Sequence, residues 1–171
     1  WNEKPTWYSG TNVQDFCGKD SYIGREKGFE AYHKELKECE IRIAVYRNPI
    51  DKIIAGFYYC QEQYPHLNNL DLFLHTYQHQ LKNNYVRIHC RTNTDMLGPD
   101  PSIYTHVWNM NEIDTKLLPF LEQLGGGKIQ KTRLREHPPR VITEAQEAKA
   151  KEVMAIDYKN GWCKELICTK I

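Results

Sequence analysis

The fold turns on residues 41–59, Ile-Arg-Ile-Ala-Val-Tyr-Arg-Asn-Pro-Ile-Asp-Lys-Ile-Ile-Ala-Gly-Phe-Tyr-Tyr. The stretch opens with an apolar run from Ile41 to Tyr46, broken only by Arg42 and rich in β-branched residues, which predicts a buried strand. Arg47-Asn48-Pro49 follows as a turn, and Ile50, Ile53, Ile54, Phe57 and Tyr58 then recur at helical spacing. Asn48 suits an N-cap, Pro49 the first helical position, and Asp51 the positive end of the helix dipole. A strand, an arginine-bearing turn and a helix N-terminus make an anion site. Free backbone N–H groups and the dipole attract negative charge there, and a guanidinium grips phosphate with two hydrogen bonds.

Working outward, a chain of 171 residues fits one domain, 1–171, and can bury its own core. Hydrophobic residues make up 40% and charged residues 26%, as in ordinary globular proteins. The net charge of +1 gives no case for nucleic-acid or membrane-surface binding, so any anion site must be local. No run approaches the ~18 apolar residues of a membrane span, and no signal peptide is visible. The six cysteines, at 17, 39, 60, 90, 163 and 168, show no CxxC pair and no metal-binding spacing with histidine. Cys163 and Cys168 could close a small disulfide loop in an oxidising compartment, whereas free buried thiols suit a reducing one. With no Asn-X-Ser/Thr sequon, the leaning is to the cytoplasm, and the Golgi lumen is the alternative.

Residues 1–24 read as irregular, and 26–38 as a surface helix carrying Phe29, Tyr32 and Leu36. A loop is expected at 61–69 and a helix at 70–82, with Leu70, Phe73, Leu74, Tyr77 and Leu81 on one face. His75 and His79 stand i, i+4 but lack a glutamate and a third ligand, so no metal is expected. Residues 87–94 read as a basic, polar loop and 96–101 as a turn, followed by a second strand over 103–108. A helix runs from Asn111 to about 123, kinked by Pro119 and ended by Gly125-Gly126-Gly127. A basic loop at 128–140 leads to Thr143-Glu144-Ala145-Gln146, a capping box that opens a last helix over 144–157. The order of elements predicts an α/β chain with a parallel sheet.

Residues 46–59 resemble the 3′-phosphate-binding segment of PAPS-dependent sulfotransferases. That segment reads arginine, Asn or Asp, proline, two residues, Arg or Lys, two apolar residues, serine, then aromatics. Arg47 matches the phosphate-binding arginine, and Ala55 stands where the family has its phosphate-binding serine. His89 followed by Asn93-Thr94 resembles the H-x-x-x-Q-T loop of carbohydrate-type members, with Asn in place of Gln. Tyr104–Trp108 resembles the strand before the family's leucine helix, here Glu112–Leu124. Residues 143–158 resemble the closing helix, with the acidic–aromatic pair Asp157-Tyr158 in reversed order.

The resemblance, which spans roughly 41–158, implies a P-loop NTPase-like three-layer sulfotransferase fold with a central parallel sheet. It implies transfer of a sulfuryl group from PAPS (3′-phosphoadenylyl sulfate) to a hydroxyl acceptor, a carbohydrate in the members most resembled, with no metal. It places Arg47, Asn48 and Ala55 at the cofactor, together with Arg133 and Arg135 of the second basic loop, which also holds Lys131 and Thr132. His33 and His89 are the candidate bases for the acceptor hydroxyl, and Arg87 and Arg91 the candidate contacts to an anionic sugar. The family's lysine-bearing 5′-phosphosulfate loop has no counterpart in residues 1–40. Ser9-Gly10-Thr11-Asn12 and Cys17-Gly18-Lys19-Asp20-Ser21 come nearest, and neither follows an apolar run. Two explanations stay open. Either the loop lies upstream of Trp1, or the chain is a noncatalytic binding domain on the same fold that has lost PAPS chemistry. An unrelated α/β nucleotide-binding protein or kinase-like fragment rests only on the generic strand–turn–helix.

Overall fold

A computed structural model describes residue 29 and residues 33–126 and 140–163. Helices dominate: α1 (His33–Glu38), α2 (Pro49–Gln63), α3 (Leu70–His75), α4 (Tyr77–Gln80), α5 (Asn84–Cys90), α6 (Asn93–Leu97), α7 (Leu118–Leu121), α8 (Glu144–Val153) and α9 (Ala155–Lys159). Two strands, β1 (Ile43–Tyr46) and β2 (His106–Asn109), pair in parallel with Ile43 opposite His106 and Tyr46 opposite Asn109. The α/β character with a small parallel sheet is therefore present among the described residues.

Most of the core forms on one face of α2. Ile50, Ile53, Ile54, Phe57 and Cys60 are buried against Phe73 and Leu74 of α3, Tyr77 of α4, Val86 and Cys90 of α5, and Ala150 and Met154. Phe57 and Phe73 meet at 5.0 Å between ring centroids. A second cluster gathers Leu36, Ala44, Tyr104 and Trp162 beside the sheet. The Trp162 indole N–H donates to the carbonyl of Gly98 at 2.7 Å, which ties the last described residues to the end of α6. No helix among the described residues is long and apolar enough to cross a membrane.

Several boundaries differ from expectation, each for a local reason. The first strand is shorter than 41–46 and only Ala44 in it is buried, because Ile41 is exposed and the Arg42 side chain bonds the carbonyls of Ile103 and Cys39. Residues 87–94 are two helix ends joined at Arg91-Thr92 rather than one loop. Asn83 caps α5 through the amides of Tyr85 and Val86, Thr92 caps α6, and Val86 and Cys90, one turn apart, face the core. The α2 helix runs on to Gln63, into the expected 61–69 loop. The 70–82 helix breaks at Thr76, whose hydroxyl donates to the Leu72 carbonyl at 2.7 Å.

Pro101 and the Asp100 cap make a 3₁₀ turn of residues 101–103, so β2 begins only at His106. The 112–124 helix is a single α-helical turn at Leu118–Leu121 flanked by π-helical turns. Pro119, which lacks an N–H, sits in that α-helical turn, and none of the helix is fully buried. The last helix breaks at Met154 into α8 and α9. Its capping box forms as expected, with Thr143 and Gln146 bonding each other reciprocally.

Candidate functional site

Arg47 follows the carboxyl end of β1, in register with the end of β2 at Asn109. Ligands of open parallel sheets bind outside the carboxyl ends of the strands. No hydrogen bond or ion pair joins the half-buried Arg47 guanidinium to another described residue. The helix start beside it is different from what the sequence suggested. Asn48 Oδ1 accepts from the amides of Ile50 (3.0 Å) and Asp51 (3.4 Å), Lys52 N–H bonds the Asn48 carbonyl, and Pro49 has no N–H. The amides expected to hold an anion are thus already taken, which leaves the Arg47 guanidinium as the cationic group at this turn. The Asn48 side-chain amide faces Cys163 Sγ at 3.8 Å. Ala55, half-buried further along α2, offers no hydroxyl.

Behind the turn lies a hydrogen-bonded junction of three distant segments. Asn93 Nδ2 donates to the Arg47 carbonyl at 2.8 Å, and Asn93 Oδ1 accepts from Lys52 Nζ at 3.1 Å. The fully buried Asp157 accepts from the backbone amides of Asn93 (2.8 Å) and Thr94 (2.7 Å), closing the start of α6. Asn160 Nδ2 reaches Thr94 Oγ1 at 3.3 Å. One carboxylate and one amide side chain therefore connect the Arg47 turn, α6 and α9.

Lys52 is the electrostatic singularity of this junction. Burial lowers its pKa from the ordinary 10.5 to about 8. Arg91 pushes in the same direction, while Asp157, Asp95 and Cys90 oppose it. Since the folded value lies below the unfolded one, the unfolded chain holds the extra proton between about pH 8 and 10.5, and stability rises with pH across that window. Urea unfolding at pH 8 and 10 should show this rise in the wild type, and Lys52→Met should flatten it. Identical slopes in the two proteins would show that Lys52 titrates normally.

The other candidates occupy separate places. His33 lies on α1 with its ring 5.5 Å from Phe29. His89 lies on α5, its ring 4.5 Å from Tyr59 and 4.7 Å from Tyr85. Burial and a hydrogen bond with Tyr59 push the Tyr85 hydroxyl up to about 12. Arg91 is buried with Nη1 3.7 Å from Asp95 Oδ2, and Arg87 Nη2 donates to Asn84 Oδ1 at 3.2 Å. Lys131, Thr132, Arg133 and Arg135 lie outside the described residues, as does Cys168. Among the described residues no three His, Cys, Asp or Glu side chains converge as a metal site would require. His75 and His79 are exposed and fall on either side of the break at Thr76.

No protein-family model, curated protein or solved structure matches the chain. The junction residues Lys52, Asn93 and Asp157 were not among the site candidates read from the sequence. Lys52 carried a signal, as the last residue of Arg-Asn-Pro-x-x-Lys. The pairing of Asp157 with amides 63 and 64 residues away carried none.

Proposed function

We propose that the chain is a PAPS-dependent sulfotransferase domain that transfers a sulfuryl group to a carbohydrate hydroxyl, on a P-loop NTPase-like three-layer fold. The observation that carries this reading is Arg47. Its guanidinium stands at the carboxyl end of a parallel strand, without a partner among the described residues, on a turn braced from behind. Residues that bear the resemblance at three separated places, Lys52, Asn93-Thr94 and Asp157, meet in that brace.

In this reading the guanidinium takes the 3′-phosphate of PAPS with two parallel hydrogen bonds. Arg133 and Arg135, of the second basic loop, are the further cofactor contacts that the resemblance implies. The acceptor oxygen attacks sulfur in line, the S–O bond to the 5′-phosphate breaks, and adenosine 3′,5′-bisphosphate leaves with the bonding electrons. His89 or His33 takes the acceptor proton. With Arg91 buried against Asp95, Arg87 is the contact to an anionic sugar.

Calorimetric titration with adenosine 3′,5′-bisphosphate tests the reading. Arg47→Ala should weaken binding about 30-fold, the size of a lost charge-assisted pair of hydrogen bonds. Equal affinity in the variant, equal affinity for the nucleotide without its 3′-phosphate, or no binding by the wild type would each refute it. Tight binding without sulfuryl transfer to any sugar hydroxyl would leave the noncatalytic reading, which the absent hydroxyl at Ala55 favours.

A further inference from the structure

We infer that Asn93 is a positioning residue for Arg47, oriented in turn by Lys52. The inference deepens the PAPS-binding reading and rests on it. An ammonium group can only donate, so the Asn93 oxygen must face Lys52 Nζ and its NH₂ must face the Arg47 carbonyl. The amide orientation is therefore fixed by chemistry. Asn93 is 1% exposed, so neither end can turn to water for a substitute.

The bond falls where the turn has its freedom. Asn48 precedes Pro49, which keeps it out of the helical region, and its ψ of 130° complies. β1 holds the backbone up to Tyr46. What remains adjustable is rotation about the N–Cα bond of Arg47, and the carbonyl that this rotation carries is the one Asn93 holds. That rotation carries the carbonyl and Cβ of Arg47 together, so holding the carbonyl fixes the direction in which the side chain leaves the backbone. Asn93 is itself held through its own amide by Asp157, so the restraint is anchored in α9 rather than in a loop. Binding is tighter when a side chain is held in its bound direction beforehand.

The test is calorimetric titration of adenosine 3′,5′-bisphosphate into the whole chain at pH 7, as wild type, Arg47→Ala, Asn93→Ala, Lys52→Met and the Asn93→Ala/Lys52→Met double variant. Asn93→Ala should bind about tenfold more weakly and Lys52→Met about fivefold. Since Lys52 acts through Asn93, the double variant should bind no more weakly than Asn93→Ala alone. A double variant showing the product of the two losses would mean that Lys52 meets the nucleotide itself, and the inference would fall. It would equally fall if Asn93→Ala bound like wild type while Arg47→Ala lost affinity, which leaves the PAPS-binding reading intact. No wild-type binding sinks both. Should Asn93→Ala not fold, Lys52→Met decides, and wild-type affinity in that variant overturns the inference.

Discussion

Asp157→Ala should lower the unfolding free energy by about 4 kcal/mol, the usual cost of removing one member of a buried charged network. The carboxylate is fully buried and each oxygen accepts one backbone amide, from Asn93 and Thr94. Truncation leaves one buried and one part-buried N–H group without acceptors and removes a negative charge that favours the Lys52 ammonium. Asp157→Asn should fall between the two proteins, because an amide can accept one of those bonds while its NH₂ confronts the other donor. Urea denaturation at pH 7 measures both. A loss under about 1 kcal/mol for the alanine variant would show that α6 closes without its carboxylate cap.

Gly56→Ala should lower Tm by roughly 8 °C, although alanine is the better helix former. A Cβ built at residue 56 lies 2.5 Å from the His89 carbonyl oxygen and 2.9 Å from Cys90 Sγ, both on α5. The carbonyl is part of a helix and cannot retreat alone, so α2 and α5 must separate and loosen the contacts of Phe57 and Val86. The helix-propensity gain is about 1 kcal/mol, and overpacking of a tight helix contact costs up to about 3 kcal/mol, so the loss wins. Thermal unfolding followed by circular dichroism reads the difference. A higher Tm in the variant would show that the two helices have room to spare.

The parts of this molecule that were legible in its sequence are those whose cause is local. Asn48 and Thr143 cap helices because the acceptor and the amides it serves lie within three residues, and both caps are present. The parallel pairing of two strands followed from their alternation with helices. Legibility failed where composition misled. Residues 87–94 are basic and polar, yet Val86 and Cys90 supply enough apolar face to hold α5 on the core. It failed again at Asn48, where the residue that makes the helix start also consumes the amides a ligand would have used. Asn93 and Asp157 lay beyond reach because their partners are distant in sequence, and a single chain gives no rule that pairs them.

The junction behind Arg47 also has a place in time. The α2–α5 contact joins Cys60 to Cys90 across 30 residues, whereas the Asn93–Asp157 bond spans 64. Closing the longer span costs more chain entropy, and non-local contacts form late in folding. The α2–α5 part of the core can therefore assemble while α9 is still unattached, and during that interval Asn93, which holds the Arg47 carbonyl, lacks its Asp157 anchor. The turn that carries Arg47 is braced in full only once α9 has docked.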